Sequence, residues 1–284
     1  MSPVEPAPRL FDQIVFSGGG TRCFWHGGIM DVLRREMPIW PARIAGVSGG
    51  ALTSVGFVAQ RGRMILDTFL EVFDQQKTNL PSGEPFDDKM GNSPHQRLYW
   101  EICARVIDAE VERQVAEGPS LQILIAHPPS REWASTTGAA ATLAYVADTQ
   151  FRSNPHLAWP EAGGLRGELV NANAVAREGK LAELVWAAAT IPPAFEPPLW
   201  NGEPTIDAGM VDQAPMPEPD IGTTLILLTK KFRNKPQIDG RLYLEPSEAV
   251  PVDKIDFTDP DKLRRTWELG EKDAKSFLDR VKSQ

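Results

Sequence analysis

One serine stands between glycines in the segment Gly46-Val-Ser48-Gly-Gly50, directly after a short apolar run. A G-x-S-x-G pattern between a buried strand and a helix is typical of a nucleophile elbow, whose serine hydroxyl projects from a tight turn. The glycines matter because a strained strand-to-helix turn leaves no room for neighbouring side chains. The pattern predicts Ser48 as a nucleophile supported by Gly46, Gly49 and Gly50. An ordinary glycine-rich turn with a helix-capping serine is the alternative.

A second glycine cluster, Ser17-Gly-Gly-Gly20-Thr-Arg22, follows the first apolar run of the chain. Three consecutive glycines expose successive backbone N–H groups, and such a nest binds an anion or a developing oxyanion. A dinucleotide-binding loop fits poorly, because its third glycine would fall where Cys23 stands. A P-loop is excluded, because no Gly-Lys-Ser/Thr follows. The cluster is therefore a candidate oxyanion loop, with a purely structural turn as the alternative.

A third candidate, Ile206-Asp207-Ala-Gly209, lies in the most irregular part of the sequence. The stretch 192–219 holds eight prolines, which neither a regular helix nor a central strand tolerates. We predict that it is stiff and without regular structure, and such segments inside compact domains are often functional. Asp207 is a candidate base held by backbone geometry, although a β-turn aspartate has the same local pattern.

The histidines are poorly placed to activate Ser48. An α/β-hydrolase triad runs serine, then acid, then histidine, but His156 is the last of the four histidines. The acid that could accompany it is Asp148, which lacks the expected position at a strand end. The base need not be histidine, since a carboxylate serves if its surroundings make it basic enough.

Alternating strands and helices must position these groups. Apolar runs at 13–16 and 44–47, each ended by glycine, predict buried parallel strands, and helical spacing follows each of them. The order strand, helix, strand, helix implies a parallel sheet covered by helices. The remaining predicted elements are strands at 121–125, 223–228 and 242–244 and helices at 22–37, 51–60, 64–78, 96–116, 131–148, 180–189 and 260–283. We expect a flexible leader over 1–10 and a single domain over 11–284.

Composition narrows the class of protein. The chain has 284 residues, with 38 acids against 30 bases and a net charge of −8, which argues against a nucleic-acid partner. Two cysteines, Cys23 and Cys103, cannot form a disulfide framework. The histidines show no metal-ligand spacing, so no metal or other cofactor is expected. With neither a signal peptide nor a spanning apolar run recognisable, we expect a cytoplasmic protein.

The three motifs together resemble the patatin-like phospholipase family. Gly18-Gly-Gly20-Thr-Arg22 is similar to its oxyanion loop, Gly46-Val-Ser48-Gly-Gly50 to its nucleophile elbow, and Asp207-Ala-Gly209 to its Asp-Gly-Gly/Ala motif. The segments 187–198 and 209–215 on either side of the aspartate are also similar to the family's. The resemblance extends in order over roughly 13–230, which makes it far more specific than any single motif.

The resemblance implies a three-layer α/β/α sandwich with a mostly parallel central sheet and a Ser–Asp dyad. Ser48 would be the nucleophile and Asp207 the general base, with Gly209 supporting it. Backbone N–H groups of Gly18, Gly19 and Gly20 would form the oxyanion hole. Arg22 would either support that loop or face a phosphate. The implied activity is a lipid acyl hydrolase, of phospholipase A or lysophospholipase type, that works through an acyl-enzyme.

The implied partner is a lipid substrate, namely a phospholipid, a lysophospholipid or an acylglycerol. The enzyme would reach this substrate by transient contact with a membrane surface. No feature of the sequence indicates a protein activator. Candidate walls for the acyl chain are the apolar residues near the motifs: Phe24, Trp25, Phe195, Leu199 and Trp200.

Two residues depart from the family pattern. Cys23 stands where the family usually has glycine, so a thiol could narrow the oxyanion loop. Ala208 replaces the first glycine after the aspartate, and alanine does not adopt positive φ cheaply. Two alternatives stay open. One is a serine esterase or thioesterase with a histidine-containing triad, and the other, which the two departures motivate, is a lipid-binding pseudoenzyme with weak catalysis.

Overall fold

The computed structural model describes residues 10–75, 94–130, 154–156, 164–191, 197–254 and 256–282. The predicted helix at 131–148 and nearly all of the predicted leader lie outside the described residues. The loop predicted over 79–95 also lies largely outside them.

A mostly parallel sheet forms the centre of the fold. Its strand order is β4-β3-β2-β1-β8-β9, where β4 runs antiparallel to β3 and all other neighbours along this path are parallel. The short strand β7 adds to β3 in antiparallel orientation, and β5 and β6 form a separate hairpin. The strands are β1 (Gln13–Phe16), β2 (Arg43–Val47), β3 (Ser120–His127), β4 (Arg166–Asn171), β5 (Leu199–Trp200), β6 (Glu203–Pro204), β7 (Ile206–Asp207), β8 (Thr224–Leu227) and β9 (Arg241–Leu244).

Helices connect the parallel strands and pack on the sheet, as the alternating pattern predicts. Their first members, α1 and α2, follow β1 and β2 directly. The described helices are α1 (Phe24–Glu36), α2 (Gly49–Val58), α3 (Gly62–Gln75), α4 (Pro94–Val106), α5 (Ala109–Glu117), α6 (Ala172–Arg177), α7 (Leu181–Ala188) and α8 (Pro260–Lys282). Short 3-10 turns occupy Gly20–Cys23 and Ala208–Met210.

Side chains alternate between the two faces of the sheet, as a two-residue strand period requires. Ile14 and Phe16 of β1 point into the main core, which the described helices cover. Val15 points to the opposite face, where it packs with Ala214 and Phe232. In the described residues this second face is therefore covered by irregular segments that follow β7 and β8.

The topology brings the two glycine motifs together. β1 and β2 are parallel neighbours in register, with Phe16 opposite Gly46. Their carboxyl ends therefore meet at one edge of the sheet, where ligands bind in open α/β folds. The segment 17–22 leaves β1 at this edge and Ser48 leaves β2 beside it.

The predicted helix over 96–116 is two helices. The chain breaks at Asp108, whose side chain accepts a hydrogen bond from Val111 N–H over 2.8 Å and caps α5. The capping aspartate offers the backbone a new helix start in place of continuation. The apolar residues keep their helical spacing across Asp108, so hydrophobic periodicity alone does not reveal that one helix ends there.

The prediction that 192–219 lacks regular structure is wrong for its described part. A β5–β6 hairpin and the strand β7 lie within 197–219. The prolines are tolerated because these strands are only two residues long, and β7 adds to β3 through Ile206 and Asp207 alone. The antiparallel edge strand β4 and the helix α6 were also not predicted.

Candidate active site

Ser48 occupies the turn between β2 and α2, where strand changes to helix without an intervening loop. Its backbone has φ 56° and ψ −134°, and positive φ is strained for a residue with a side chain. Ala51 N–H donates to the Ser48 carbonyl oxygen over 2.9 Å and closes the turn. A Cβ at Gly46 would lie only 2.7 Å from Ser54 Oγ, so α2 packs directly on β2. This geometry is that of a nucleophile elbow.

The two glycines after Ser48 allow the elbow to pack against the oxyanion loop. A Cβ at Gly50 would collide with the backbone carbonyl oxygens of Phe16 and Ser17. A Cβ at Gly49 would collide with the carbonyl oxygen of Gly20. These neighbours are backbone atoms at the end of a buried strand, so they cannot move aside as a flexible side chain would. The glycines are required by close approach.

Asp207 is brought to Ser48 from far away in the sequence. The Ser48 hydroxyl donates to Asp207 Oδ2 over 2.6 Å, although the residues are 159 positions apart. Strand β7 places Asp207 opposite Ile125 of β3. The backbone N–H of Asp207 donates to the Thr190 carbonyl oxygen over 2.6 Å, and Gly209 N–H donates to Asp207 Oδ1 over 2.7 Å. Both carboxylate oxygens therefore accept a hydrogen bond, Oδ1 from the Gly209 N–H and Oδ2 from the Ser48 hydroxyl.

The buried carboxylate is more basic than an exposed aspartate. Both Ser48 and Asp207 are buried, at 2% and 0% exposure. Burial is the largest effect and raises the pKa of Asp207 above its ordinary value, because desolvation disfavours the charged form. The positive charge of Lys254 and the hydrogen bonds from Ser48 and Gly209 act in the opposite direction. A raised pKa favours proton acceptance from a serine hydroxyl.

The oxyanion loop offers two unengaged backbone donors beside the elbow. Gly18 N–H already donates to the Gln213 carbonyl oxygen over 2.9 Å, so it anchors the loop. Gly19 and Gly20 donate no backbone hydrogen bond to any described residue. Of the three glycines predicted for the oxyanion hole, these two have N–H groups that can donate to an anion.

Residues far along the chain hold the oxyanion loop in place. Thr229 Oγ1 donates to the Gly18 carbonyl oxygen over 2.8 Å. Thr21 donates from its backbone to Lys254 O over 3.3 Å and from its hydroxyl to Asp253 O. Gly20 has φ +59°, and a Cβ there would collide with Lys254 O. Sequence reasoning missed Thr229 and Lys254, because no motif marks a residue that acts through such packing.

The two departures from the family pattern are accommodated. Cys23 is buried beside the loop, with Sγ 3.4 Å from the Ser17 carbonyl oxygen. Burial raises the pKa of the Cys23 thiol, so it is a neutral packing group and a poor nucleophile. Ala208 starts a 3-10 turn and is not among the described residues with positive φ. The conformational objection to alanine beside Asp207 therefore does not apply.

Arg22 stands half-buried at the end of the oxyanion loop. Its backbone N–H donates to Gly19 O over 3.3 Å. Its guanidinium makes neither a hydrogen bond nor an ion pair with a described residue. The side chain is therefore available to a group outside the protein.

None of the histidines whose side chains are described hydrogen-bonds to the Ser48–Asp207 pair. His156 lies 3.3 Å from Asp212 and 3.0 Å from the Tyr243 hydroxyl. The suggested partner Asp148 lies outside the described residues. His127 contacts Glu168 and the Pro204 carbonyl oxygen. His26 is fully buried beside Thr53, and burial lowers its pKa to about 3.

The candidate walls for an acyl chain divide into core and surface residues. Trp25 is fully buried and its Nε1 donates to Asp273 over 2.9 Å, so it belongs to the core. Phe24 and Trp200 are also buried, whereas Leu199 is 58% exposed. Phe195 lies outside the described residues.

The described residues contain neither a metal-binding cluster nor a membrane-spanning helix. No group of three or more histidine, cysteine, aspartate or glutamate side chains among them could hold a metal ion. The helices within the same ranges are too short or too polar to cross a membrane.

The family model for patatin-like phospholipase matches residues 14–220, which is well over half of the chain. The chain belongs to the patatin-like phospholipase family. The match includes the glycine loop, the elbow and Asp207, so the resemblance of the motifs is confirmed. The predicted α/β/α fold class with a mostly parallel central sheet is confirmed with it.

Comparison with solved structures finds VipD from Legionella pneumophila, with 14% sequence identity and a TM-score of 0.46. The similarity covers 96% of this chain and 67% of VipD. Among curated proteins, none matches the chain significantly in sequence.

Proposed function

We propose that this patatin-like protein hydrolyses carboxylic esters of lipids through a Ser48–Asp207 dyad. The family acts on lipid acyl groups, which sets the general class of reaction. The observation that carries the dyad is the 2.6 Å hydrogen bond from Ser48 Oγ to a buried carboxylate. A serine nucleophile needs a base within hydrogen-bond reach, and this carboxylate is within it.

The reaction follows from this geometry in two steps. Asp207 accepts the hydroxyl proton while Ser48 Oγ attacks the ester carbonyl carbon, and Gly19 and Gly20 N–H groups stabilise the oxyanion. Collapse of the tetrahedral intermediate breaks the ester bond, and the leaving alcohol or lysolipid takes the proton from Asp207. Water then attacks the acyl-enzyme carbonyl carbon while Asp207 accepts its proton. Collapse of this second tetrahedral intermediate breaks the bond to Ser48 Oγ, which takes the proton from Asp207 as the fatty acid leaves.

We further propose that Arg22 makes this site prefer phospholipids over neutral esters. Its side chain has no hydrogen-bond or ion-pair partner among the described residues, and Arg22 lies two positions after Gly20 in the same loop. A guanidinium binds a phosphate well because its fork matches the phosphate oxygens. Replacing Arg22 with methionine should lower hydrolysis of a phospholipid more than hydrolysis of a neutral short-chain ester. Equal losses on both substrates would show that Arg22 only supports the loop.

Fatty-acid release from mixed phospholipid vesicles and from a short-chain ester tests the dyad. We expect wild type to release acid and both Ser48→Ala and Asp207→Asn to lose about 10³-fold or more. Ser54→Ala and Asp256→Asn are matched controls, because both residues are buried and lie outside the dyad. Near-normal activity of Asp207→Asn would refute the dyad and favour a histidine-containing esterase or thioesterase.

Labelling by a fluorophosphonate separates an inactive site from an unsuitable substrate. The reagent needs an activated serine but no lipid recognition, so wild type should be labelled and Ser48→Ala should not. Wild-type protein that is neither active nor labelled, yet still binds lipid, would identify a pseudoenzyme.

The cellular setting belongs to the same proposal. A cytoplasmic enzyme that meets lipid by transient contact with membrane surfaces is supported by two buried, free cysteines, Cys23 and Cys103. Fractionation of cells should find the protein mainly in the cytosolic fraction, and tight retention in membranes would contradict the assignment.

A further inference from the structure

A cavity of about 370 Å³ lies between α1, α2, α3 and α8. Apolar side chains supply much of its lining, although each of them is itself almost completely buried in the protein. They are Phe24, Met30, Phe57, Ile65 and Trp267. A cavity with such a lining suits a hydrocarbon chain.

The charged residues that line this cavity are three arginines and one aspartate, in a protein whose net charge is −8. Arg35 pairs with Asp31 over 3.2 Å. Arg63 lies 3.9 Å and 4.0 Å from carboxylates on α3 and α8. Arg34 differs from both, because it has no carboxylate partner among the described residues.

Arg34 is half-buried and held by uncharged neighbours. Its NH1 donates to the Phe57 carbonyl oxygen over 2.6 Å. Its guanidinium carbon lies 5.0 Å from the centre of the Phe57 ring and 5.3 Å from that of Trp40. Burial lowers the pKa of Arg34, since desolvation disfavours the charged form. A partly desolvated guanidinium whose contacts are a carbonyl oxygen and two aromatic rings is well suited to bind the carboxylate of a ligand.

We propose that this cavity binds a single-chain anionic amphiphile, with a carboxylate at Arg34 and the hydrocarbon chain along the apolar lining. The charge and shape of the cavity favour such a ligand whether or not the protein is a hydrolase. If the proposed function is correct, the natural ligand is the fatty acid that the enzyme releases.

The cavity also touches the helix that carries the nucleophile elbow. Thr53 lines it, and Thr53 Oγ1 lies 3.4 Å and 3.3 Å from the carbonyl oxygens of Gly49 and Gly50. These glycines form the first turn after Ser48. A ligand in the cavity would therefore lie about one helical turn from the elbow.

Calorimetric titration of the full-length Ser48→Ala protein with laurate, below its micelle concentration, tests the proposal without turnover. We expect saturable binding that Arg34→Met weakens at least about tenfold, as loss of a charged hydrogen bond predicts. Arg34→Lys should restore part of the affinity. Arg113→Met is the matched control, because Arg113 is exposed on α5 and pairs with Glu110 and Glu117.

A second variant fills the cavity without touching a charge. A Cβ at Gly62 would lie 3.5 Å from the Trp267 ring with no other atom within 4 Å, so Gly62→Leu should occupy the space and abolish binding. Acetate tests the carboxylate without the hydrocarbon chain, and dodecanol tests the chain without the charge. Each should bind at least about tenfold more weakly than laurate. Unchanged laurate affinity in folded Arg34→Met and Gly62→Leu proteins would overturn the proposal.

Photo-cross-linking with a diazirine-bearing fatty acid locates the ligand directly. Labelled residues on α1 and α3 are expected, and labelling confined to the surroundings of Ser48 would overturn the cavity as the binding site. Catalysis and binding fail separately in this design. A wild type that is neither active on any ester nor labelled by the fluorophosphonate, but whose Ser48→Ala variant still binds laurate at Arg34, refutes the hydrolase and keeps the cavity site. An active enzyme without this binding refutes the cavity site.

Discussion

The two halves of the candidate site are built in different ways. The nucleophile half consists of Ser48 and the glycine loop, which follow two neighbouring parallel strands and lie within 17–50. The base half consists of Asp207 on a two-residue strand, held by the Thr190 carbonyl oxygen and Gly209 N–H. Close approach of backbone at Gly49 and Gly50 positions the elbow in the first half, where hydrogen bonds only anchor the glycine loop. Individual hydrogen bonds and charges position the carboxylate of the second half.

This difference predicts how each half responds to mutation. A methyl group added to the nucleophile half meets backbone that cannot move, so its effect should be large and abrupt. Removing one polar contact from the loop anchors or the base half should cost less, because other contacts remain. The variants below test this contrast from the largest expected effect to the smallest.

Gly50→Ala should have the largest effect of these variants. Its methyl group would collide with the Phe16 and Ser17 carbonyl oxygens, at a cost of about 1–3 kcal/mol in the free energy of unfolding. Displacing the elbow should also lower kcat/KM by about 10²-fold, because catalysis is sensitive to misplacement of about 1 Å. Urea unfolding and ester hydrolysis measure the two effects.

Gly179→Ala is the control for lost stability alone. Gly179 has φ +70° and open space around its Cβ position, so alanine there costs about 1 kcal/mol by backbone strain. Its activity should stay at the wild-type level. If Gly50→Ala is equally active, steric fit does not fix the nucleophile half.

Thr229→Val should have an intermediate effect. The change removes the hydroxyl that donates to the Gly18 carbonyl oxygen and nearly preserves the side-chain shape. We expect kcat to fall by about tenfold as the loop loosens, with about 1 kcal/mol lost in the free energy of unfolding. Thr223→Val, in the segment leading into β8, should leave kcat unchanged. A larger loss at Thr223 would show that the strand, and not the anchor, governs the loop.

Lys254→Met should change the pH profile of activity. In the proposed mechanism Asp207 must be ionised to accept the proton, so kcat/KM should rise with pH through the pKa of Asp207. Burial raises this pKa above its ordinary value and the charge of Lys254 lowers it, so removing Lys254 raises it further. The acid limb of the profile should therefore move to higher pH. The control Lys262→Met should not move it, and an unmoved limb in Lys254→Met would exclude electrostatic tuning of the base.

His156→Ala should have the smallest effect on catalysis. The histidine contacts Asp212 and Tyr243, so its loss removes two polar contacts outside the Ser48–Asp207 pair and should lower kcat by less than about tenfold. A catalytic histidine would instead cost about 10²–10⁴-fold. Rate measurements on a short-chain ester distinguish the two, and a loss in the larger range would replace the dyad with a triad.

Local sequence predicted the nucleophile half well. The strands at 13–16 and 44–47, the helices after them and the glycine turns between them agree with β1, β2, α1 and α2. Each depends on interactions between neighbouring residues, such as apolar runs and the missing side chains of glycine. The same local rules missed the break at Asp108, because helical spacing continued across it.

The base half was predicted only as far as its motif. The local pattern marked Asp207 as a candidate and the family resemblance implied its role as general base, but nothing in 192–219 predicted strand β7 or its pairing with Ile125. A two-residue strand has no periodicity, and its stability comes from a partner strand about 80 positions away along the chain.

The sequence by itself determined the order of strands and helices, the candidate nucleophile and base, and the glycine-rich turns. Only the tertiary structure decided that the Gly19 and Gly20 N–H groups donate to no described residue, and how Thr229 and Lys254 hold the loop. It also decided that Asp207 meets Ser48, and that Arg34 lines a cavity without a carboxylate partner in the described part of the chain. The physical reason is that backbone propensity and hydrophobic periodicity act between chain neighbours. Desolvation, charge compensation and long-range hydrogen bonds exist only after distant segments have come together.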